Sequence, residues 1–338
     1  MGAENARERL VTAVRGVERL VLLGDVLELR ERPWRESLGA AAPTLASIGD
    51  ALPAAAPVLL LAGNHDHGLL SPSLARRSVA EPPPAPLGSA TELVARADEP
   101  LQHVCAALGA ERVTVSYPGV WLRDDVYATH GHYLDRHTTV PTLERLGIGT
   151  VARIARNGAG GPAGAEDYEA VLGPVYAWLD ALAGAGGATG RIGQGASVAA
   201  WRALGQGDRA RGGPRRRALR AALPAIVSGL NRLGLGPLSD DLSIDALRES
   251  SLRAFGEVLL ALRVDARFVI FGHTHRAGPI AGDQLESWRT ASGTRLVNCG
   301  CWVGERTLAG RNRRSPYRPG FCVRLDDDRD PELINILD

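Results

Sequence analysis

The sequence predicts an α/β fold carrying a helical insertion, and three observations predict it. Runs of four to six apolar residues without polar alternation recur along the chain; they are too short for helices and read as strands buried on both faces. Longer segments between them repeat apolar residues at helical spacing. The 338 residues are 45% hydrophobic, enough to build a real core in one large domain or two ordinary ones.

In chain order, Ala3 to Val17 reads as a helix, and Leu20 to Leu23 is the first strand, running into Gly24-Asp25. Val58 to Ala62 is the second and runs into Gly63-Asn64-His65-Asp66. Ala90 to Leu108 reads as a helix carrying His103. Val126 to Thr129 leads into His130-Gly131-His132, Phe268 to Phe271 into Gly272-His273-Thr274-His275, and Leu296-Val297 into Asn298-Cys299-Gly300-Cys301-Trp302. Pro141 to Leu262 forms an insertion the size of a small domain, so the division is 1–140 with 263–338 for the core and 141–262 for the insertion. Its expected helices are Thr142 to Arg156, Ala165 to Ala183, Ser197 to Leu204, Pro214 to Leu233 and Ser243 to Leu262. Leu247, Phe255, Val258, Leu259 and Leu262 recur at helical spacing in the last. Gly/Ala-rich joints at Asn157 to Gly164 and Gly184 to Gly195 separate the helices.

Four of the strands end on a metal-type ligand. Open α/β sheets place ligands just beyond the carboxyl ends of their strands, and that position holds Asp25, Asn64, His130 and the pair His273 and His275. Asp25 has two carboxylate oxygens that can bridge two cations, Asn64 offers a neutral carbonyl oxygen, and three imidazoles favour Mn, Fe, Zn or Ni over Mg or Ca. On an extended backbone alternate side chains share a side, so His273 and His275 are expected to face one cluster while Thr274 points away. By the same alternation His65 turns from the Asn64 position and stays available for proton transfer or charge stabilisation, with Asp66 holding its ring. His67, His103, His132, Asp135 and His137 are read as supporting or structural groups outside the ligand set.

Taken together, these motifs resemble those of the calcineurin-like metallophosphoesterases. The resemblance rests on Gly24-Asp25, Gly63 to Asp66, His130 to His132, Gly272 to His275 and the Asn298 to Trp302 strand end, and spans residues 1 to about 135 and 263 to about 325. It implies a sandwich of mixed β-sheets flanked by helices and two divalent metal ions, which would hydrolyse a phosphate mono- or diester by a metal-activated hydroxide. It makes Asp25 the bridging ligand, assigns Asn64, His130 and His273 to one metal and His275 to the other, and makes His65 the acid or transition-state stabiliser, oriented by Asp66. The family's first motif, Asp-x-His, has no counterpart: neither residue type occurs before Asp25. The expectation is that Met1 is internal and that a strand carrying the pair precedes it. As the sequence stands, the second metal keeps only Asp25 and His275, and the competing expectation is a catalytically impaired metal-binding or scaffolding protein on the same fold.

Composition bounds the rest. A formal net charge of +1 gives no bulk field for nucleic acid. All 39 basic residues are Arg, which in this Ala- and Gly-rich chain reads as high-GC codon bias. Four Cys in this length do not resemble a disulfide framework and read as reduced, cytoplasmic thiols. No apolar stretch approaches the ~20 residues that span a bilayer. The expected substrate is a phosphorylated small molecule, nucleotide or lipid-linked phosphate. Arg209, Arg211, Arg215, Arg216, Arg217 and Arg220 form the densest basic run; a solvated face is the plain reading, an anionic membrane surface or substrate contact the sharper one. Tyr168, Tyr176, Trp178 and Trp201 read as core or as pocket lining. Substrate identity and oligomeric state stay open at this level.

Overall fold

A computed structural model describes residues 3–154, 161–184, 214–241, 243–303 and 315–338. The chain divides into two compact units, Met1–His132 with Arg263–Asp338, and Tyr133–Leu262. The second unit includes the expected insertion, Pro141 to Leu262, and opens at Tyr133.

The first unit is α/β, with a mixed, curled sheet flanked by helices. Its elements are α1 (Ala3–Val14), β1 (Leu20–Leu23), α2 (Trp34–Ala51), β2 (Val58–Leu61), α3 (Ser71–Ser78), β3 (Ala90–Leu93), α4 (Pro100–Leu108), β4 (Val113–Arg123) and β5 (Val126–Thr129). After the insertion come β6 (Phe268–Phe271), β7 (Arg295–Asn298), β8 (Phe321–Arg324) and β9 (Glu332–Asn335). The sheet order is β1-β2-β4-β5-β6-β7, with β3 also on β4, while β8 and β9 pair separately. β1, β2 and the first part of β4 are parallel. So are β5, β6 and β7. The long β4 joins the halves, pairing antiparallel with β3 through Val115 to Pro118 and with β5 through Gly119 to Arg123. All the ligand-bearing strands thus end at carboxyl termini of parallel strands, where such sheets collect their functional groups.

β2, β5 and β6 are largely or wholly buried, as their unalternating apolar sequences require. β1 departs from the expectation: it is an edge strand and all four of its residues are half-exposed. Leu23 nevertheless packs on the buried cluster of Val126, Ala128, Phe268, Ile270 and Val297. The expected helix from Ala90 to Leu108 is also corrected. Its first part is strand β3, because Thr91 and Leu93 find partners in Tyr117 and Val115 of β4. Pro100 lacks the N–H an inner helical position would need, and instead opens α4 at its first turn.

The second unit contains α5 (Leu143–Ile154), α6 (Ala165–Gly184), α7 (Pro214–Arg232) and α8 (Ile244–Ala261). These fall within a few residues of four expected helices. Ser243 caps α8, its hydroxyl accepting from the Ala246 N–H at 3.1 Å. Tyr168, Leu172, Tyr176 and Phe255 are fully buried, whereas Trp178 is exposed. The expected Ser197 to Leu204 helix, Trp201, most of the two Gly-rich joints, Arg209 and Arg211 lie outside the described residues; Arg215, Arg216, Arg217 and Arg220 fall on α7. No described helix is long and apolar enough to cross a membrane.

Candidate metal centre

β1, β2, β5 and β6 each deliver a polar residue from the loop just beyond their carboxyl end into one small volume. Beyond β1 the backbone turns through the left-handed region at Gly24 (φ 85°) and Asp25 (φ 53°), which swings the Asp25 carboxylate back over the strand ends. This works because the neighbours are glycines. A Cβ on Gly24 would stand 2.4 Å from His130 Nδ1, and one on Gly63 would stand 2.2 Å from Asp25 Oδ1 and 2.7 Å from His130 Nε2. Side chains at either position would push the charged groups apart.

Four of the sequence-predicted residues meet. His130 Nε2 lies 3.3 Å from Asp25 Oδ2 and 3.2 Å from Asn64 Oδ1, and His273 Nδ1 lies 3.1 Å from the same Asn64 oxygen. The His130 and His273 rings sit edge to face, 5.3 Å between centroids. His130 Nδ1 donates to the Leu23 carbonyl at 2.9 Å, fixing the ring so that Nε2 faces the cluster. Burial opposes ionisation of Asp25, but the His130 charge and hydrogen bond, with His65, hold its carboxyl well below the usual range. Burial likewise works against charge on His130, yet Asp25 raises it.

His65 and Asp66 are arranged differently from the expectation. His65 does turn from the cluster, and its backbone N–H donates to Asp25 Oδ1 at 2.9 Å. Its ring, however, is held by Glu28, with Nδ1 to Oε2 at 2.6 Å, a residue the sequence reading missed. The available signal was position: Glu28 lies three residues past Asp25, on the loop whose Leu29 N–H bonds the His65 carbonyl. Asp66, fully buried, instead accepts the backbone N–H groups of Asp25, Val26, Leu27 and Gly63 at 2.7 to 3.3 Å. It therefore ties the β1 and β2 loops together rather than aiming an imidazole. Burial and the Asp25 charge push its carboxyl up to about 6 against those amides. For His65, burial lowers and Glu28 raises, with a net upward result.

The loop after β6 is not the extended segment expected. His273 and His275 both have positive φ, 56° and 60°, so strand alternation does not govern where they point. His273 joins the cluster through Asn64, and His275 is half-buried. The strain is held by Asn298, wholly buried at the end of β7: its Nδ2 donates to the Gly272 carbonyl at 3.0 Å and to Thr274 Oγ1 at 2.7 Å, while Oδ1 accepts from the Gly300 N–H. Further along, Arg276 forms a buried two-pronged ion pair with Asp283.

The remaining candidates take supporting positions. His132 is buried with Nε2 on the Tyr117 hydroxyl at 2.8 Å, and burial, then His130, keep it well below its usual pKa. His67 packs edge-on to the same tyrosine. His103 stacks on Trp34. All four Cys are free thiols.

Three separations within the donor set suit one divalent cation. Two ligands each ~2.1 Å from an ion stand ~3.0–3.4 Å apart for angles between square and tetrahedral, which is the spacing along Asp25, His130, Asn64 and His273. The set depends on its amide: among the described residues, no group of three His, Cys, Asp or Glu side chains is by itself placed to hold a metal. No protein-family model matches the chain, and no curated protein is similar enough to match it.

Proposed function

We propose that this protein is a metal-dependent phosphoesterase of the calcineurin-like kind, acting on a phosphate mono- or diester. The observation that supports it most is the meeting of Asp25, Asn64, His130 and His273 at ligand spacing, from four separate strand ends. In this reading the four residues hold a divalent cation such as Mn, Fe, Zn or Ni, and His275 with Asp25 serves a second. Bound there, such cations lower the pKa of water and neutralise phosphoryl oxygens.

The chain's own groups do the rest. His130, pinned through Nδ1 to the Leu23 carbonyl, keeps Nε2 as a donor atom. Asn298 holds the His273 loop in its left-handed turns. His65, fixed at Nδ1 by Glu28, has Nε2 left to protonate the leaving oxygen or to stabilise charge on the phosphoryl group; positioned proton transfer of this kind contributes about 10²–10⁴-fold. Asp66 secures both loops beneath.

A second reading is a metal-binding scaffold without turnover, favoured by the one donor set that is complete among the described residues. Metal analysis with turnover of bis-p-nitrophenyl phosphate in Mn separates the two. Bound metal with turnover, both lost in His130→Ala, supports the phosphoesterase. Bound metal without turnover supports the scaffold, and neither metal nor turnover overturns both.

A further inference from the structure

The helical unit buries positive charge that, among the described residues, no carboxylate neutralises by direct contact. Arg145, on the first turn of α5, is 1% exposed. Its Nε donates to the Thr138 carbonyl at 2.8 Å, and its Nη1 reaches no acceptor. That nitrogen lies over Gly149, one turn on, where a Cβ would stand 3.2 Å from it. Arg136 is half-buried and takes part in no hydrogen bond or ion pair among the described residues.

His137 feels the charge of both arginines, and its Nε2 meets the Tyr168 hydroxyl at 2.6 Å. The closeness of these basic groups is felt by His137 and Arg145. Burial first, then the charges of Arg136 and Arg145, push His137 down to about 4. Burial and then Arg136 bring Arg145 to about 10, with Asp135 acting the other way. Asp135 accepts from the Tyr176 hydroxyl, Glu169 from Tyr133, and Glu257 acts on Tyr168. Neither arginine is in an ion pair among the described residues. A guanidinium withdrawn from water with an unused donor costs free energy unless an anion meets it.

We propose that Arg136, His137, Arg145 and the Tyr168 hydroxyl form a binding site for a tetrahedral oxyanion, the phosphate group of a phosphorylated ligand being the chemistry it suits. Planar guanidinium forks match phosphate oxygens two at a time, and the phenol and imidazole can add one donor more. The site stands on residues of the helical unit alone and does not depend on the metal centre.

The test is calorimetric titration of the full chain with inorganic phosphate, EDTA being present so that a metal centre contributes nothing, with sulfate as a second arm and thermal melting in parallel. Wild type is expected to bind phosphate and to melt higher with it. Arg145→Met should lose at least tenfold in affinity while melting no lower than wild type in phosphate-free buffer, since the unpaired buried charge is gone. His130→Ala should bind as wild type does. Equal binding to sulfate makes the site one for oxyanions generally, whereas phosphate alone makes it a phosphate site. Should Arg145→Met not fold, Arg136→Ala decides by the same tenfold criterion. Wild-type affinity in the folded arginine variants, no phosphate binding by wild type, or loss of binding in His130→Ala overturns the assignment.

Discussion

Replacing Glu28 by Gln removes a charge and almost nothing else, and it tests the part of the centre that sequence alone did not reveal. Glu28 Oε2 holds His65 Nδ1 at 2.6 Å, and Glu28 Oε1 accepts the Arg30 N–H at 2.9 Å. Glutamine can keep an acceptor on either contact. A hydrogen bond between charged partners is worth about 1.5–3 kcal/mol against about 1 for a neutral pair. The two side chains are 31% and 41% exposed, so solvent screens part of the difference and about 1 kcal/mol is left. At 1.36 kcal/mol per tenfold, Glu28→Gln should lower kcat about fivefold, and Glu28→Ala, which also frees the ring to rotate, should lower it by tenfold or more. The assay is bis-p-nitrophenyl phosphate hydrolysis in Mn with metal content measured on the same samples; KM and bound metal should stay at wild-type values, because Glu28 is not among the donors. Unchanged kcat in both variants, or a loss of metal that parallels the loss of rate, would refute the reasoning. Had Asp66 held the ring, it and not Glu28 would carry this signature.

Other outcomes follow from the same geometry. Gly63→Ala sets a Cβ 2.2 Å from Asp25 Oδ1 and 2.7 Å from His130 Nε2, so metal content should fall sharply while the helical signal in circular dichroism is kept. Asp66→Ala leaves four backbone donors without their carboxylate and should cost about 3–5 kcal/mol in denaturant unfolding, far more than a surface change. His137 is held neutral in the folded state, with its pKa at about 4 against about 6.5 unfolded. The unfolded chain therefore binds the extra proton between those values, and the stability tied to this residue is full above pH 6.5 and is lost as pH falls towards 4, by at most about 3 kcal/mol. Subtracting the urea stability of His137→Gln from that of wild type across this range should expose the loss, and a flat difference would contradict it.

Much of this protein was legible in its linear sequence, for a definite reason. Strands buried on both faces need unbroken apolar runs, and an α/β sheet collects polar groups where those runs stop. Leu20–Leu23, Val58–Leu61, Val126–Thr129 and Phe268–Phe271 therefore announced both the sheet and the residues beyond it. Helical spacing likewise marked α8. Where the sequence reading failed, long-range pairing had decided. Thr91 and Leu93 join a sheet because β4 lies beside them, not through any strong local preference.

The centre divides in the same way. Residue type and spacing identified Asp25, Asn64, His130 and His273 as candidates. That they meet at 3.1–3.3 Å depends on left-handed turns at Asp25 and His273 and on the room left by Gly24 and Gly63, none of which a strand pattern encodes. Which carboxylate aims His65 was decided in three dimensions as well: Asp66, next in sequence, is drawn off by four backbone amides, and Glu28 reaches the ring from another loop. Sequence determined which groups arrive at the strand ends, because burial and hydrogen bonding constrain each strand locally. Tertiary structure alone decided which of them touch, because side-chain direction at a turn is set by backbone torsions and by contacts tens to hundreds of residues away.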